Sequence, residues 1–225
     1  VPALVPLVLD PHPLAGLEGI AFPVELRVLD GQKVVARVTG PMLVTHFGVS
    51  GPAALDVSRH WSVAAESGRR LDVRMSLYPG LEAQDVERVW LEIARTDGRR
   101  SIANLLRDLP RRVAERLMEV AGSDPGRRLG DLPRDARARL LGACTALPLP
   151  VKDTRGFNAA EVTAGGVPTS EVDPRTMESR VCPGLHLVGE ILDVEGRLGG
   201  FNFQWAWASG FVAGQALATA AGAAP

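Results

Sequence analysis

The sequence predicts an α+β protein, a Greek-key-like β-barrel with a helical insert, followed by a strand and helix of the open α/β type. Three observations predict it. Apolar and polar residues alternate over Phe22–Leu29 and again over Lys33–Thr39, on either side of the hairpin signal Asp30-Gly31. From Leu81 to about Leu147 the apolar residues recur at three- and four-residue spacings instead. Near the end, a short apolar run leads into an acidic turn, a glycine pair and an uncharged stretch with the length of one buried helix.

In chain order, residues 1–47 are expected to be β-rich. Phe22, Val24, Leu26 and Val28 share one side of the first long strand, and after the turn either Val34 or Val35 sets the inward register. Gly40-Pro41 should interrupt that strand before Leu43-Val44 begins another. Ser50-Gly51-Pro52 predicts a helix through about Trp61, with Ser50 as N-cap and proline in the first turn. Leu71, Val73, Met75 and Leu77 then face one way on a further strand.

Gly98, Pro110, Gly122, Pro125 and Pro133 divide the helical segment into four short helices, with Ser101 and Asp131 as N-caps. Pro148-Leu149-Pro150 closes this insert, and strand character returns over Val151–Val167. The expected organisation is therefore a β-rich unit with one helix (1–80), a helical insert (81–147), returning strands (148–175) and a terminal unit (176–225).

Composition bounds the function. With 46% hydrophobic and 23% charged residues the chain is of ordinary globular type. A net charge of −1 shows no global footprint for nucleic acid, so a small-molecule substrate and no nucleic-acid partner are expected. Cys144 and Cys182 form no C-x-x-C pair, and no secretory signal opens the chain, which fits a cytoplasmic location. Leu198–Pro225 carries no charge and is long enough to cross a bilayer, but Asn202, Gln204, Ser209, Gln215 and Thr219 interrupt it, and no membrane association is expected. The Ala/Gly-rich end after Thr219 should fray.

Pro183–Gly214 carries the chemistry. Leu185–Val188 is expected to be a buried strand ending at Gly189-Glu190, with Asp193 three residues on. Two carboxylates where a strand leaves a sheet suit sugar-type hydroxyls rather than phosphate. Gly199-Gly200 lets backbone approach a ligand, and Asn202 and Gln204 add amides in the first turn of the helix. Read without a ligand, the glycine pair is a tight turn ahead of a core helix, and Gly165-Gly166 is a bulge or turn after a strand.

Thr163-Ala-Gly-Gly-Val167, Thr176-Met-Glu-Ser179, Gly189-Glu-Ile-Leu-Asp193 and Gly199-Gly-Phe-Asn-Phe-Gln204 resemble the C-terminal signature of a family of bacterial NAD(P)/FAD-dependent oxidoreductases that includes aminoacetone-oxidase-like and bile-acid-reductase-like members. Thr45-His-Phe-Gly-Val-Ser-Gly-Pro52 resembles its middle signature. The resemblance implies that 176–225 is the C-terminal part of an FAD-binding α/β domain, with NAD(P)H as a candidate electron donor. It places Gly189, Glu190 and Asp193 toward the ribityl and pyrophosphate side, and Gly199, Gly200, Asn202 and Gln204 toward the flavin ring. Thr163, Gly165 and Gly166 follow as weaker candidates.

Such families hold the FAD pyrophosphate on a G-x-G-x-x-G turn, which this sequence lacks. It is therefore expected to be the C-terminal portion of a larger flavoprotein whose N-terminal FAD-binding segment is missing. The alternative is a folded, non-catalytic fragment that binds no flavin alone.

No catalytic residue is specified; His46 and Arg155 are the polar residues to test. Gly48-Val-Ser-Gly-Pro52 approaches the G-x-S-x-G nucleophile elbow but fails at Pro52, and helix capping accounts for Ser50. His12, His46, His60 and His186 are scattered, with no metal-ligand spacing, and no metal is expected.

Overall fold

The computed structural model describes residues 1–222. A seven-stranded antiparallel sheet is built from β2 (Leu7–Leu9), β3 (Ala21–Asp30), β4 (Lys33–Thr45), β5 (Gly48–Ser50), β6 (Asp72–Ser76), β7 (Leu147–Leu149) and β8 (Val151–Thr154). Its order is β7-β6-β3-β4-β5-β2-β8. Helix α1 (Pro52–Glu66) packs across β3 and β4. The insert holds α2 (Ala83–Thr96), α3 (Ile102–Leu105), α4 (Arg111–Val120) and α5 (Arg134–Thr145). A two-stranded ladder joins β1 (Pro2–Ala3) to β9 (Val162–Thr163), and α6 (Phe201–Ala220) ends the described chain.

The sheet is not the closed barrel expected. Its edges are β7 and β8, consecutive in sequence and separated only by Pro150. β7 pairs with β6 through Val73↔Leu149, and after Pro150 the same chain pairs with β2 through Leu9↔Val151. Proline has no N–H to donate, so Pro148 and Pro150 weaken pairing where the chain changes partner, and the sheet curls round without closing its ladder.

The long hairpin turns at Gly31, whose φ of 59° suits glycine. A register shift between Val28 and Leu29 settles the alternation in favour of Val34, leaving Val35 exposed. β4 runs unbroken through Gly40-Pro41, contrary to expectation, because Pro41 faces Pro23 and the missing donors fall on the same rung. The N-cap of α1 is Gly51 (φ 83°), not Ser50, and no side chain caps that helix. Ser101 does cap α3, accepting from the Asn104 N–H at 3.3 Å. Asp131 does not cap α5; it ends a 3-10 turn, and Pro133 takes the capping position.

One continuous core joins sheet and insert, with Leu26, Met42 and Met75 from the strands and Ile102, Leu117 and Leu140 from the helices. On the outer face of the sheet a charge cluster fixes the start of α2. Arg27 donates to Glu82, its N-cap, at 3.0 Å, and Arg37 donates to the same carboxylate at 2.9 Å. Burial would raise the Glu25 carboxyl, but the Gly80 N–H, Arg27 and Arg37 outweigh it and hold it below its usual value.

Leu185–Val188 is not a buried strand. It makes a single bridge between Glu178 and His186, and Leu185 and Val188 are exposed. Local bonds hold it, Ser179 N–H to Leu185 O at 2.7 Å and Leu187 N–H to Met177 O at 2.9 Å. A parallel core strand needs a strand on each side, and among the described residues this segment pairs only through that one antiparallel bridge. Nor is any described helix long and apolar enough to cross a membrane. The last three residues of the end expected to fray lie outside the described ones.

Candidate functional site

The terminal segment is clasped from two sides, by the returning strands and by α1. Asp193 N–H donates to Val167 O and Val167 N–H to Ile191 O, which brings the segments 163–167 and 190–193 together. Glu190 accepts from the Thr163 N–H at 2.8 Å, and Asp193 from the Gly165 N–H at 3.2 Å. From the other side α1 clasps the next loop: Leu198 N–H donates to Asp56 at 2.7 Å, and Arg59 pairs with Glu195.

Between these clasps lies a cavity of about 470 Å³ at the N-terminus of α6. Glu190, Gly199, Gly200 and Asn202 line it, together with Leu4 and Arg197. Gly200 caps α6 in the left-handed region (φ 87°), and a Cβ there would meet nothing within 4 Å. The first N–H groups of α6 have no intrahelical partner. The Arg197 guanidinium lies over the Phe201 ring at 4.7 Å. Positive charge and unpaired donors therefore meet on one side of an open backbone.

The other expected residues are placed differently. Gly189 is committed to the protein: its N–H donates to Ser209 at 3.0 Å and its carbonyl accepts from Trp205 at 3.1 Å. Asn202 lines the cavity, yet its amide clasps both backbone groups of Gly196, at 2.8 and 3.2 Å. Gly166 is required by sterics, since a Cβ would stand 2.5 Å from Ile191 O. Asp193, Thr163, Gly165, Gly166 and Gln204 are not among the lining residues.

His46 and Arg155 both lie against one ring, that of Phe47. His46 lies edge-on to Phe47 at 5.0 Å, and the Arg155 guanidinium sits 4.6 Å from the Phe47 centroid. No hydrogen bond joins His46 to Ser50 among the described residues, so no serine–histidine pair is formed. The glycines of the middle signature serve packing: a Cβ on Gly48 would stand 2.2 Å from Leu7 O, and one on Gly51 2.9 Å from Leu43 N.

Sequence reasoning missed Leu4 and Arg197. Leu4 is buried with φ of 47°, uncommon for a leucine, and its carbonyl accepts from the Glu161 N–H at 3.2 Å. Nothing in a lone leucine signals this. Arg197 could have been found as the one charge set directly against the glycine pair and the uncharged helix.

Residues 1–162 match the family described as HI0933-like protein barrel and H2TH domain. The chain belongs to this family. Among similar proteins, the 3-dehydro-bile acid delta(4,6)-reductase of Clostridium scindens is 37% identical over 97% of this chain and 54% of its own length. The ribosomal RNA dihydrouridine synthase of Escherichia coli is 37% identical over 87% of this chain and 49% of its own. That of Haemophilus influenzae is 33% identical over 88% and 46%. The chain thus spans about half the length of the curated relatives it matches. These relatives support the class expected from the sequence, a flavoprotein-related oxidoreductase, at the level of the class rather than of a substrate. They overturn the exclusion of nucleic acid, because two are named for ribosomal RNA. A net charge near zero describes the chain average and is blind to a local basic surface.

Proposed function

We propose that the chain supplies the flavin-ring side of an FAD-dependent reductase, with residues 176–225 as the C-terminal part of its FAD-binding domain. The observation that carries this reading is the cavity at the N-terminus of α6, with Gly200 open above it and Arg197 beside it. A ring edge fits there, because donors and positive charge converge where no Cβ intrudes. The pyrophosphate is proposed to be held by a separate dinucleotide-binding segment.

Bound FAD would supply two-electron reduction, with NAD(P)H as the proposed donor. In this reading the α6 N-terminus and Arg197 stabilise negative charge on the ring edge, and Leu4, Val194 and Leu198 exclude water from it. Glu190 and Asp193 stay on their Thr163 and Gly165 clasps and position the loop, and Gln204, outside the cavity lining, takes no part in this reading. His46, held against Phe47, is the proposed proton source, and Arg155 the group that orients substrate. The relatives' names share one chemistry, saturation of a carbon–carbon double bond, and a substrate with such a bond conjugated to a carbonyl is proposed here.

The second reading is a folded module that does not hold flavin alone. It is favoured by Gly189 and Asn202, whose polar groups are spent within the protein. Titration of FAD into the 225-residue chain should give weak binding, and tight stoichiometric binding would remove the need for a partner segment. In protein that also carries a dinucleotide-binding segment, Gly200→Val should abolish flavin retention, read from the visible absorption of the purified protein. Full flavin occupancy in that variant would sink the ring-edge assignment.

A further inference from the structure

Two walls of the cavity at α6 are tied to α1 by side chains of one short stretch, Asp56, Ser58 and Arg59. None of the three is itself among the lining residues. All lie within about one helical turn. The helix that carries them is seated on the sheet by Ala53, Ala54 and Val57, which are fully buried.

One wall is Leu4. A leucine holds a φ of 47° only where its surroundings impose it. Here Ala3 pairs with Val162 on one side, and the Glu161 N–H donates to the Leu4 carbonyl at 3.2 Å. On the other side the Val5 N–H donates to the Ser58 hydroxyl at 3.1 Å. Ser58 is fully buried, and its hydroxyl donates to Leu55 O at 2.7 Å, which turns its acceptor side to Val5.

The other wall is the loop 195–200, which contributes Arg197, Leu198, Gly199 and Gly200. Asp56 accepts from the Leu198 N–H at 2.7 Å, and Arg59 pairs with Glu195. The Glu195 side chain is only 7% exposed, so its charge depends on the Arg59 guanidinium. Without that cation the carboxylate regains water by swinging outward, and Arg197, two residues on, swings with it. Asn202 ties Gly196 to α6 itself and cannot set the distance from this loop to Leu4. Asp56 and Arg59 can, because they stand on the same helix as Ser58.

We propose that Asp56, Ser58 and Arg59 are positioning residues for this cavity: α1 sets the separation of its two walls, and the Arg59–Glu195 pair aims Arg197 into it. The spacing belongs to this chain alone. Its effect on a bound ring rests on the flavin reading.

Hydrogen–deuterium exchange of the 225-residue protein tests the spacing without any cofactor. Arg59→Ala should speed exchange over residues 194–200, and Asp56→Ala at Leu198, each by roughly ten- to hundredfold, the factor carried by a hydrogen bond to a charged group. Ser58→Ala should speed exchange at Val5 and leave 194–200 protected. Arg59→Lys, which keeps the cation, should restore most of the protection. Should Arg59→Ala fail to fold, Arg59→Glu with Glu195→Arg should regain the protection that Arg59→Glu loses. Arg111→Gln, which breaks the pair with Glu115 in the insert, should leave the segment unchanged. Unchanged exchange over 194–200 in the Arg59 and Asp56 variants, or a loss spread equally over the β3–β4 hairpin, would overturn the proposal.

The aim of Arg197 has its own readout in flavin-loaded protein that also carries a dinucleotide-binding segment. Arg59→Ala and Arg197→Ala should each lower the reduction potential of the flavin, and the double variant should lower it no further than Arg197→Ala alone. Additive shifts would show that Arg59 does not act through Arg197. Failure to bind flavin would sink the ring-edge reading and leave the exchange result standing, so the two fail separately.

Discussion

In the sheet and the helical insert, large apolar side chains are mostly covered by the chain's own atoms, whereas from Val172 onward they largely are not. Gly48 has Leu7 O where a Cβ would go, and Gly200 has open space. Leu26, Met42, Leu117 and Leu140 are fully buried in one core, while the terminal segment centres on Val172, Met177, Leu192 and Ala213. Phe203, Trp207 and Phe211, one stripe of α6 at four-residue spacing, are 67%, 68% and 66% exposed, and Phe203 stacks on Trp207. The first region is a finished structure and the second carries surfaces shaped for something else. Gly200 and the uncovered apolar face of α6 are where a ligand and a further segment are proposed to sit.

The largest effect should come from setting the two glycines against each other. Gly48→Ala would drive a methyl into Leu7 O and should cost more than about 4 kcal/mol, read as loss of the cooperative unfolding transition. Gly200→Ala should cost only about 1 kcal/mol, the price of a left-handed backbone without glycine. Equal losses would erase the distinction between the two regions.

Side-chain truncation should sharpen the same contrast at smaller scale. Leu117→Ala, in the helical core, should cost about 2–5 kcal/mol in denaturant unfolding. Phe211→Ala should change stability by less than about 0.5 kcal/mol. It should also reduce self-association of the 225-residue chain in sedimentation, because it removes part of an exposed apolar face. A large stability loss there would mean that the stripe is already covered.

The smallest effect concerns the seam between the regions. Burial first, then the neighbouring Arg59 charge, pushes the His60 imidazole below its ordinary value of 6.5, with Glu195 opposing. The unfolded chain then holds more protons than the folded one between the lowered value and 6.5, so stability rises with pH through that window. It is complete above about 6.5 and lost as pH falls below it. His60→Gln should flatten this dependence in unfolding midpoints measured across the window, and an unchanged profile would show that the seam does not bury the imidazole.

Local patterns made much of this molecule legible. The Asp30-Gly31 hairpin, the helix after Pro52, the strand 72–76 and the four helices of the insert follow from alternation, helical spacing, glycine and proline, because those preferences act within a few residues. The glycine pair and the length of the last helix were equally readable, whereas the clasp of Glu190 and Asp193 on the Thr163 and Gly165 N–H groups was not. What needed the tertiary structure was anything set by a distant partner. The sheet stays open because one segment, 147–154, divides its pairing between β6 and β2, and no window of sequence records that division. Leu185–Val188 has the composition of a core strand but no strands beside it, so burial, and not apolarity, decides its state. Gly189 and Asn202 look like ligand groups until Ser209, Trp205 and Gly196 are seen to occupy them.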